Sequence, residues 1–490
     1  MDRAWLGTGV GFAESVLIGC SAAGVITSVR TGVPLGEAPG ARRLGGDVCL
    51  PGFVNAHSHA FHRALRGVSE TAAGSFWTWR ELMYTAAGRL DPDSYRELAS
   101  LVYVEMLLAG YTAVGEFHYV HRGPGGVAYS DPNAMGVAVS EAASAAGIRM
   151  TLLDACYLQA SVSGVPLEGV QLRFGDASGE AWAERVSAML SSSVVSELVR
   201  VGVAAHSVRA TPAPAIKTVA ALAAFEDLPL HVHLSEQQRE NEECLKALSL
   251  TPTDLLYDCG ALTSHTTAVH ATHLTTLDLG RIGLASCGVC ACPTTERDLG
   301  DGIGPFAELA DAGAVLSIGS DSQAVIDPFE ETRAIELDER LSSQRRGVWP
   351  VSGLFAAGSS GGSRALGWPT GGIAVGAMAD FVCLDLSAPR LAGGHRTVGS
   401  ARGPVSRSAS GSAVESGSAS GPGARASSLS AADEELLARI VFAASPADVD
   451  TVVVGGRVVV EGGEHVVFGP PRSLSDRLSR AIAATLDEDP

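Results

Sequence analysis

Short apolar runs, each closed by glycine or polar positions, recur along the whole chain, but their texture changes twice. Near the N-terminus the runs are brief and β-like, at 15–18 and 24–26. The same texture returns at 380–384 and 452–460, where Gly455-Gly456 separates two β-branched stretches at hairpin spacing. Between these ends, apolar runs at 113–117, 149–153, 199–203, 230–233, 268–270, 288–292 and 315–319 alternate with helical stretches such as 94–109. Repeated βα units over roughly 300 residues predict an α/β fold of the (β/α)8 TIM-barrel type rather than an open doubly wound sheet. The deciding feature is that polar residues finish many different strands, as the C-terminal face of a barrel requires. The β runs at the two ends are expected to complete one small β-sandwich domain.

The expected division is residues 1–50 for the N-terminal part of the β domain and 51–370 for the catalytic barrel, with 371–392 returning to the β domain. Residues 431–490 supply the rest of it and a C-terminal helix. The stretch 393–430 is rich in Ser, Gly and Ala and poor in large apolar residues, so it is expected to be a flexible surface insertion.

The chain has 490 residues, too many for one compact core and suited to a large domain with a smaller one. Its 35 basic and 54 acidic side chains give a net charge of −19, which argues against a nucleic-acid partner. An anionic substrate is not excluded, but its charge must then be met locally. Lys217 and Lys246 are the only lysines, so nearly every cation is an arginine. The nine cysteines are odd in number and scattered through apolar runs, unlike a disulfide framework. Cys287, Cys290 and Cys292 lack a second pair at zinc-finger spacing and read as buried small residues. Leu17-Ile18-Gly19-Cys20 looks like a lipoprotein cleavage site, but Asp2 and Glu14 interrupt the lead it would need. No stretch approaches ~18 uninterrupted apolar residues, so no membrane span is expected and a reducing cytoplasm is the default.

The chemistry gathers at strand ends. His57-Ser58-His59 closes a β-like run, and residues two apart on a strand project to one face. Both imidazoles can therefore reach one point above a barrel mouth. His231-Val232-His233 with Glu236 repeats the pattern, followed by His270 and then by Asp321. Imidazoles with one carboxylate favour zinc, or less selectively another divalent transition metal. Polar strand ends in this order at βα spacing are far more specific than a lone His-x-His pair.

This constellation resembles the amidohydrolase superfamily. The resemblance implies His57, His59, His233 and Asp321 as metal ligands, with His270 and Glu236 beside the metal. Binuclear members bridge two metals with a modified lysine, and neither Lys217 nor Lys246 sits at a suitable strand end, so one zinc is expected. The flanking runs are more specific: 57–64, 75–81, 116–121, 205–210, 292–296 and Gly300-Asp301-Gly302 resemble the formimidoylglutamate deiminases. These matches extend from about Pro51 to Asp321; the 393–430 stretch has no place in the pattern.

That resemblance implies hydrolytic deimination of N-formimino-L-glutamate to N-formyl-L-glutamate and ammonia, in histidine breakdown, by a zinc-activated water. Glu236, His270 and Asp321 are its implied catalytic groups. Arg209 with His206 and Tyr119 is implied to hold the substrate's carboxylate end, and Arg80 to be a second anion contact, a task suited to guanidinium forks. His62 is implied as a further substrate contact but departs from the family pattern, which has Gln there; a histidine can donate a hydrogen bond too, but can also titrate near neutral pH. His118, His121 and His273 read as hydrogen-bonded packing residues. A homodimer acting on a small-molecule dicarboxylate is implied as well. The alternatives are a superfamily deaminase acting on a guanine-, cytosine- or adenosine-like ring, and a non-catalytic relative that uses the barrel for binding. A neutral base would not need two arginines.

Overall fold

The computed structural model describes residues 1–68, 76–393 and 429–486. The flexible insertion expected at 393–430 lies, apart from its edges, outside the described residues. Eight parallel strands follow one another in sequence order around a barrel. They are β1 (Phe53–Ser58), β2 (Tyr111–His118), β3 (Arg149–Cys156), β4 (Val199–Ser207), β5 (Leu230–Leu234), β6 (Thr266–His270), β7 (Gly288–Ala291) and β8 (Val315–Ile318). The (β/α)8 architecture read from the sequence is therefore present. Closure is made just past β8: the Asp321 N–H donates to the His57 carbonyl at 3.0 Å, and the His59 N–H donates to the Asp321 carbonyl at 3.2 Å. Two stretches expected to carry metal ligands are thus the two that close the barrel.

The strands are buried almost throughout, as parallel strands covered on both faces must be. Local signals set the helices between them. Asp91 caps the helix Pro92–Ala109 by accepting from the Ser94 N–H, and Gly110 ends it in the left-handed region at φ 102°. A side chain at Gly110 would also meet Val382 and Val449, so the chain must pass close to the terminal sheet before it enters β2. Gly319 is a second forced glycine: a Cβ there would lie 2.8 Å from the Cβ of His57.

Both chain ends meet in a seven-stranded mixed sheet under the barrel. Its order is Glu464–His465, Arg457–Glu461, Val449–Val454, Phe381–Leu384, Val48–Pro51, Arg3–Trp5 and Phe12–Glu14. A hairpin of Leu17–Cys20 and Ile26–Arg30 packs on one face of it, over a core that includes Ala4, Val16, Ile26, Phe381 and Val453. These two strands begin two residues later than the apolar runs suggested. Ser15 at φ 51° breaks the first run, and Gly24 at φ 76° turns the chain inside the second. Arg149, at the start of β3, makes a fully buried double hydrogen bond to Asp380 at 2.9 and 3.0 Å, tying barrel to sheet. Among the described residues no helix is long and apolar enough to cross a membrane.

Candidate active site

The C-terminal ends of β1, β5 and β8 bring four metal-ligating side chains together: His57, His59, His233 and Asp321. Asp321 Oδ1 lies 3.2 Å from His57 Nε2 and 3.4 Å from His59 Nε2. His233 Nε2 lies 3.1 Å from His57 Nε2 and 3.4 Å from His59 Nε2. A tetrahedral ion with bonds of about 2.0–2.1 Å sets its ligand atoms about 3.3 Å apart. The observed edges match that figure, so the four groups fit a zinc-sized cation. In two of the three rings the other nitrogen fixes the tautomer: Nδ1 of His59 donates to the Phe117 carbonyl and Nδ1 of His233 to the His206 carbonyl, both at 2.9 Å. Burial holds all three imidazoles well below their usual pKa and hence neutral, as ligands must be. Burial alone would raise Asp321, but the surrounding imidazoles, His270 first, bring it below the usual carboxylate range.

Backbone strain collects at the same place. Ser235, His270, Ala271, Asp321 and Gln323 are non-glycine residues with φ between 41° and 67°, all at barrel strand ends. Such conformations persist only where the surroundings enforce them. Around Asp321 and Gln323 the enforcing groups are buried polar side chains to which the sequence assigns no role. Asn55 brackets Ser320, donating to its hydroxyl at 2.6 Å and accepting from its N–H at 3.0 Å. Gln323 donates to the Ser58 hydroxyl and the Asp321 carbonyl, both at 3.0 Å. Glu116 accepts from the Ala60 N–H at 2.7 Å and the Ser58 hydroxyl at 2.8 Å, and burial pushes its pKa up to about 7.

Beside the four ligands stand Glu236 and His270. Glu236 Oε1 is 3.7 Å from His270 Nε2, which is in turn 3.8 Å from Asp321 Oδ2. Burial pushes Glu236 up to about 7. Burial works against a charged His270, but the carboxylates around it, Glu236 first, raise its pKa well above the ordinary value. Behind it, Glu296 Oε1 lies 3.3 Å from His270 Nδ1 and accepts the Cys292 N–H at 2.9 Å. Glu296 stood in the 292–296 run without an assigned role; its charge in an apolar strand-to-helix turn was the available signal.

The cleft that opens over these groups encloses about 530 Å³, its mouth included, and is lined by all the expected site residues except His57. His57 lies beneath, with no exposed surface. His62 Nε2 is 2.9 Å from the Tyr119 hydroxyl, and burial pushes its pKa down to about 3. It is a neutral residue at pH 7 here, not the near-neutral titrating group its type allowed. The His206 ring packs edge-on against Tyr157 at 4.6 Å and Tyr119 at 5.3 Å. Arg209 is 8 % exposed, and its Nε has no hydrogen-bond partner among the described residues. Its NH1 is 3.8 Å from Glu240 Oε2, while Glu240 Oε1 accepts the Ser235 N–H at 2.9 Å. Arg80, on the helix Phe76–Arg89, lies with its guanidinium carbon 5.1 Å from the centre of the Tyr84 ring.

The remaining histidines sit elsewhere. His231 shares the inward face of β5 with His233 but lies a layer deeper, where Nε2 donates to the Ala365 carbonyl at 2.9 Å. His121 and His273 are hydrogen-bonded to the carbonyls of Ala155 and Asp301. His118 packs against Tyr95 and His121, and its Nδ1 has no partner among the described residues. Asp154 lies close to both His118 and His121, but Arg185 already satisfies it at 2.7 and 2.8 Å. Cys290 and Cys292 are buried with their sulfurs 4.0 Å apart, and Cys287 is buried too.

An eight-stranded parallel barrel with a His-His-His-Asp cradle at its C-terminal mouth defines a class of barrel hydrolases. The chain belongs to the amidohydrolase family, whose model matches residues 48–459, and it is a hydrolase acting on C–N bonds. It is 38 % identical to the formimidoylglutamate deiminase of Pseudomonas aeruginosa, over 98 % of this chain and 96 % of that one. The resemblance read from the flanking runs is thereby borne out. The 8-oxoguanine deaminase of the same organism is 28 % identical over 71 % of this chain and 76 % of its own. Among solved structures, an amidohydrolase from Brucella melitensis superposes with a TM-score of 0.80 at 31 % identity, covering 99 % of both chains. An adenosine deaminase from Xanthomonas campestris with bound zinc shares the fold, with a TM-score of 0.76 at 20 % identity over 99 % of this chain and 97 % of that one.

Proposed function

We propose that the chain hydrolyses N-formimino-L-glutamate to N-formyl-L-glutamate and ammonia, a step of histidine breakdown, with one zinc ion held by His57, His59, His233 and Asp321. The observation that carries this reading is the presence, in one cleft, of that cradle and of two guanidinium groups, Arg80 and Arg209. A substrate with two carboxylates needs both cations; a neutral purine or pyrimidine needs neither. Similarity to the Pseudomonas aeruginosa enzyme supports the same substrate.

Zinc bound there lowers the pKa of water toward ~7 and so supplies a nucleophile at neutral pH. The chain's own groups do the rest. Arg209, His206 and Tyr119 receive the carboxylate end of the substrate, and Arg80 meets the second carboxylate. His62, neutral and bonded to Tyr119, keeps that phenol in place. Asp321, kept ionised by the imidazoles around it, takes a proton from the water that attacks the amidine carbon, and the charged His270, between Glu236 and Asp321, steers that water. Glu236, with a pKa of about 7, is protonated in part at neutral pH and gives a proton to the departing nitrogen. The bond that breaks joins the amidine carbon to its terminal nitrogen; as it breaks, the new hydroxyl returns a proton to the ionised Glu236, so ammonia leaves and a formyl group stays on glutamate. The same reading carries a cytoplasmic homodimer without nucleic-acid or membrane partners.

Product analysis tests the reaction. Metal-loaded protein is expected to convert N-formimino-L-glutamate to N-formyl-L-glutamate and ammonia in equal amounts. Release of formamide and glutamate instead would place the cleavage at the other C–N bond and contradict the proposal.

A further inference from the structure

Arg80 and Tyr84 lie one turn apart on the helix Phe76–Arg89, and both line the cleft. The short helix Gly169–Arg173 braces the helix that carries them. Arg173 donates to the carbonyls of Ala87 and Leu90 at the helix end, and Gln171 Nε2 donates to the Tyr84 hydroxyl at 2.9 Å. The Glu168 N–H donates to the Gln171 Oε1 at 3.4 Å, which leaves the amide nitrogen to face the phenol. Among the described residues the Tyr84 oxygen accepts this one hydrogen bond and donates none. A phenol carries a single proton, and one whose oxygen already accepts has that proton to give.

The wall that Tyr84 shares is cationic. Arg80 reaches over its ring, and burial raises the phenol's pKa to about 12 even though Arg80 and Arg209 both pull it down. The phenol therefore keeps its proton at any working pH and lies within electrostatic reach of both guanidinium groups. A neutral O–H among cations attracts what the cations attract, and its hydrogen bond to an anion is of the charge-assisted, stronger kind. Phe76, Met83 and Phe174 line the same cleft and offer an anion no hydrogen bond.

We propose that Tyr84, aligned by Gln171, is a specificity residue whose hydroxyl donates a hydrogen bond to the substrate's side-chain carboxylate, drawn in by Arg80, so that this wall selects dicarboxylates over monocarboxylates. This rests on the proposed reading of the cleft as a dicarboxylate site and adds a donor to it. Gln171 is a positioning residue: it touches no substrate and acts by holding the phenol.

Two ligands and two variants test it. N-formyl-L-glutamate carries both carboxylates, and N-formyl-L-2-aminobutyrate lacks the side-chain one. By calorimetry, Tyr84→Phe is expected to weaken binding of the first by about 10- to 100-fold and to leave the second unchanged. With N-formimino-L-glutamate the same variant is expected to raise KM by a similar factor at unaltered kcat. Gln171→Leu is expected to act in the same direction, less strongly, with the phenol still present. Unfolding midpoints equal to wild type confirm that both variants fold; if Tyr84→Phe does not, Gln171→Leu decides alone. Equal weakening of both ligands, a fall in kcat at constant KM, or no change in binding would overturn the proposal. Failure of the wild type to turn over N-formimino-L-glutamate would sink the functional reading, while the binding comparison would still decide the role of Tyr84.

Discussion

Glu236 has a carboxyl that burial lifts to about 7, and it stands 3.7 Å from His270. Glutamine in its place keeps the volume and loses the proton. Glu236→Gln is expected to lower kcat by about 10²–10⁴-fold, the usual worth of a general acid, with zinc content unchanged. Parallel steady-state assays and metal analysis check it; loss of zinc would assign Glu236 to the cradle instead. Arg209→Ala is expected to raise KM and leave zinc content as in wild type, since Arg209 faces the cleft and not the four ligands. Glu116 gives a prediction about stability. Its folded pKa of about 7 lies above the ordinary 4.5 because of burial. A group with a raised folded pKa contributes fully below its unfolded value and loses that contribution as pH rises through the folded one. Between pH 5 and pH 8 the wild type is therefore expected to lose about 2.5 kcal/mol relative to Glu116→Gln, measured by urea unfolding.

Among strands and helices, a site residue was readable from the chain where its chemistry is local and hidden where it is paired through space. His57 and His59 share one strand end, and so does His233 on β5; a two-residue period shows where they point. Arg80, His206 and Arg209 took their roles from flanking runs, not from geometry. Asn55 and Gln323 depend on partners 265 residues away, Ser320 and Ser58, and Glu296 on His270 across a βα unit; no local period marks them. The depth of His231 was unreadable for a related reason: it has the same face as His233, and only the barrel's layering separates them. Helix-to-strand ties follow the same logic. Asp154 on β3 accepts from Arg185 and from the Trp182 indole at 3.0 Å, both on the helix Gly179–Leu190. Asp154→Ala strands a buried guanidinium that keeps only Asp176 as a charged partner. It is expected to cost about 3 kcal/mol in denaturant unfolding while kcat stays at the wild-type value.

Across the whole molecule, a fully buried ion pair, Arg149 with Asp380, joins the barrel to the sheet from the two chain ends, capped by the Trp368 ring 4.5 Å from the guanidinium carbon. Removing one partner leaves the other charge buried. Arg149→Met is expected to lower stability by about 3–5 kcal/mol, and Asp380→Asn should cost less in that background than alone. Additive losses in that double-mutant cycle would mean that the pair does not act as a unit. The overall charge of −19 says little about the cleft, where two guanidinium groups face an otherwise aromatic and imidazole-rich wall. That contrast is why the substrate's charge, rather than the metal, separates this chain's proposed reaction from ring deamination. The most direct test compares kcat/KM of the zinc-loaded protein on N-formimino-L-glutamate with that on guanine, cytosine and adenosine, followed by ammonia release. Turnover of the linear dicarboxylate with none of the rings is the predicted result; turnover of a ring and none of the dicarboxylate would contradict it.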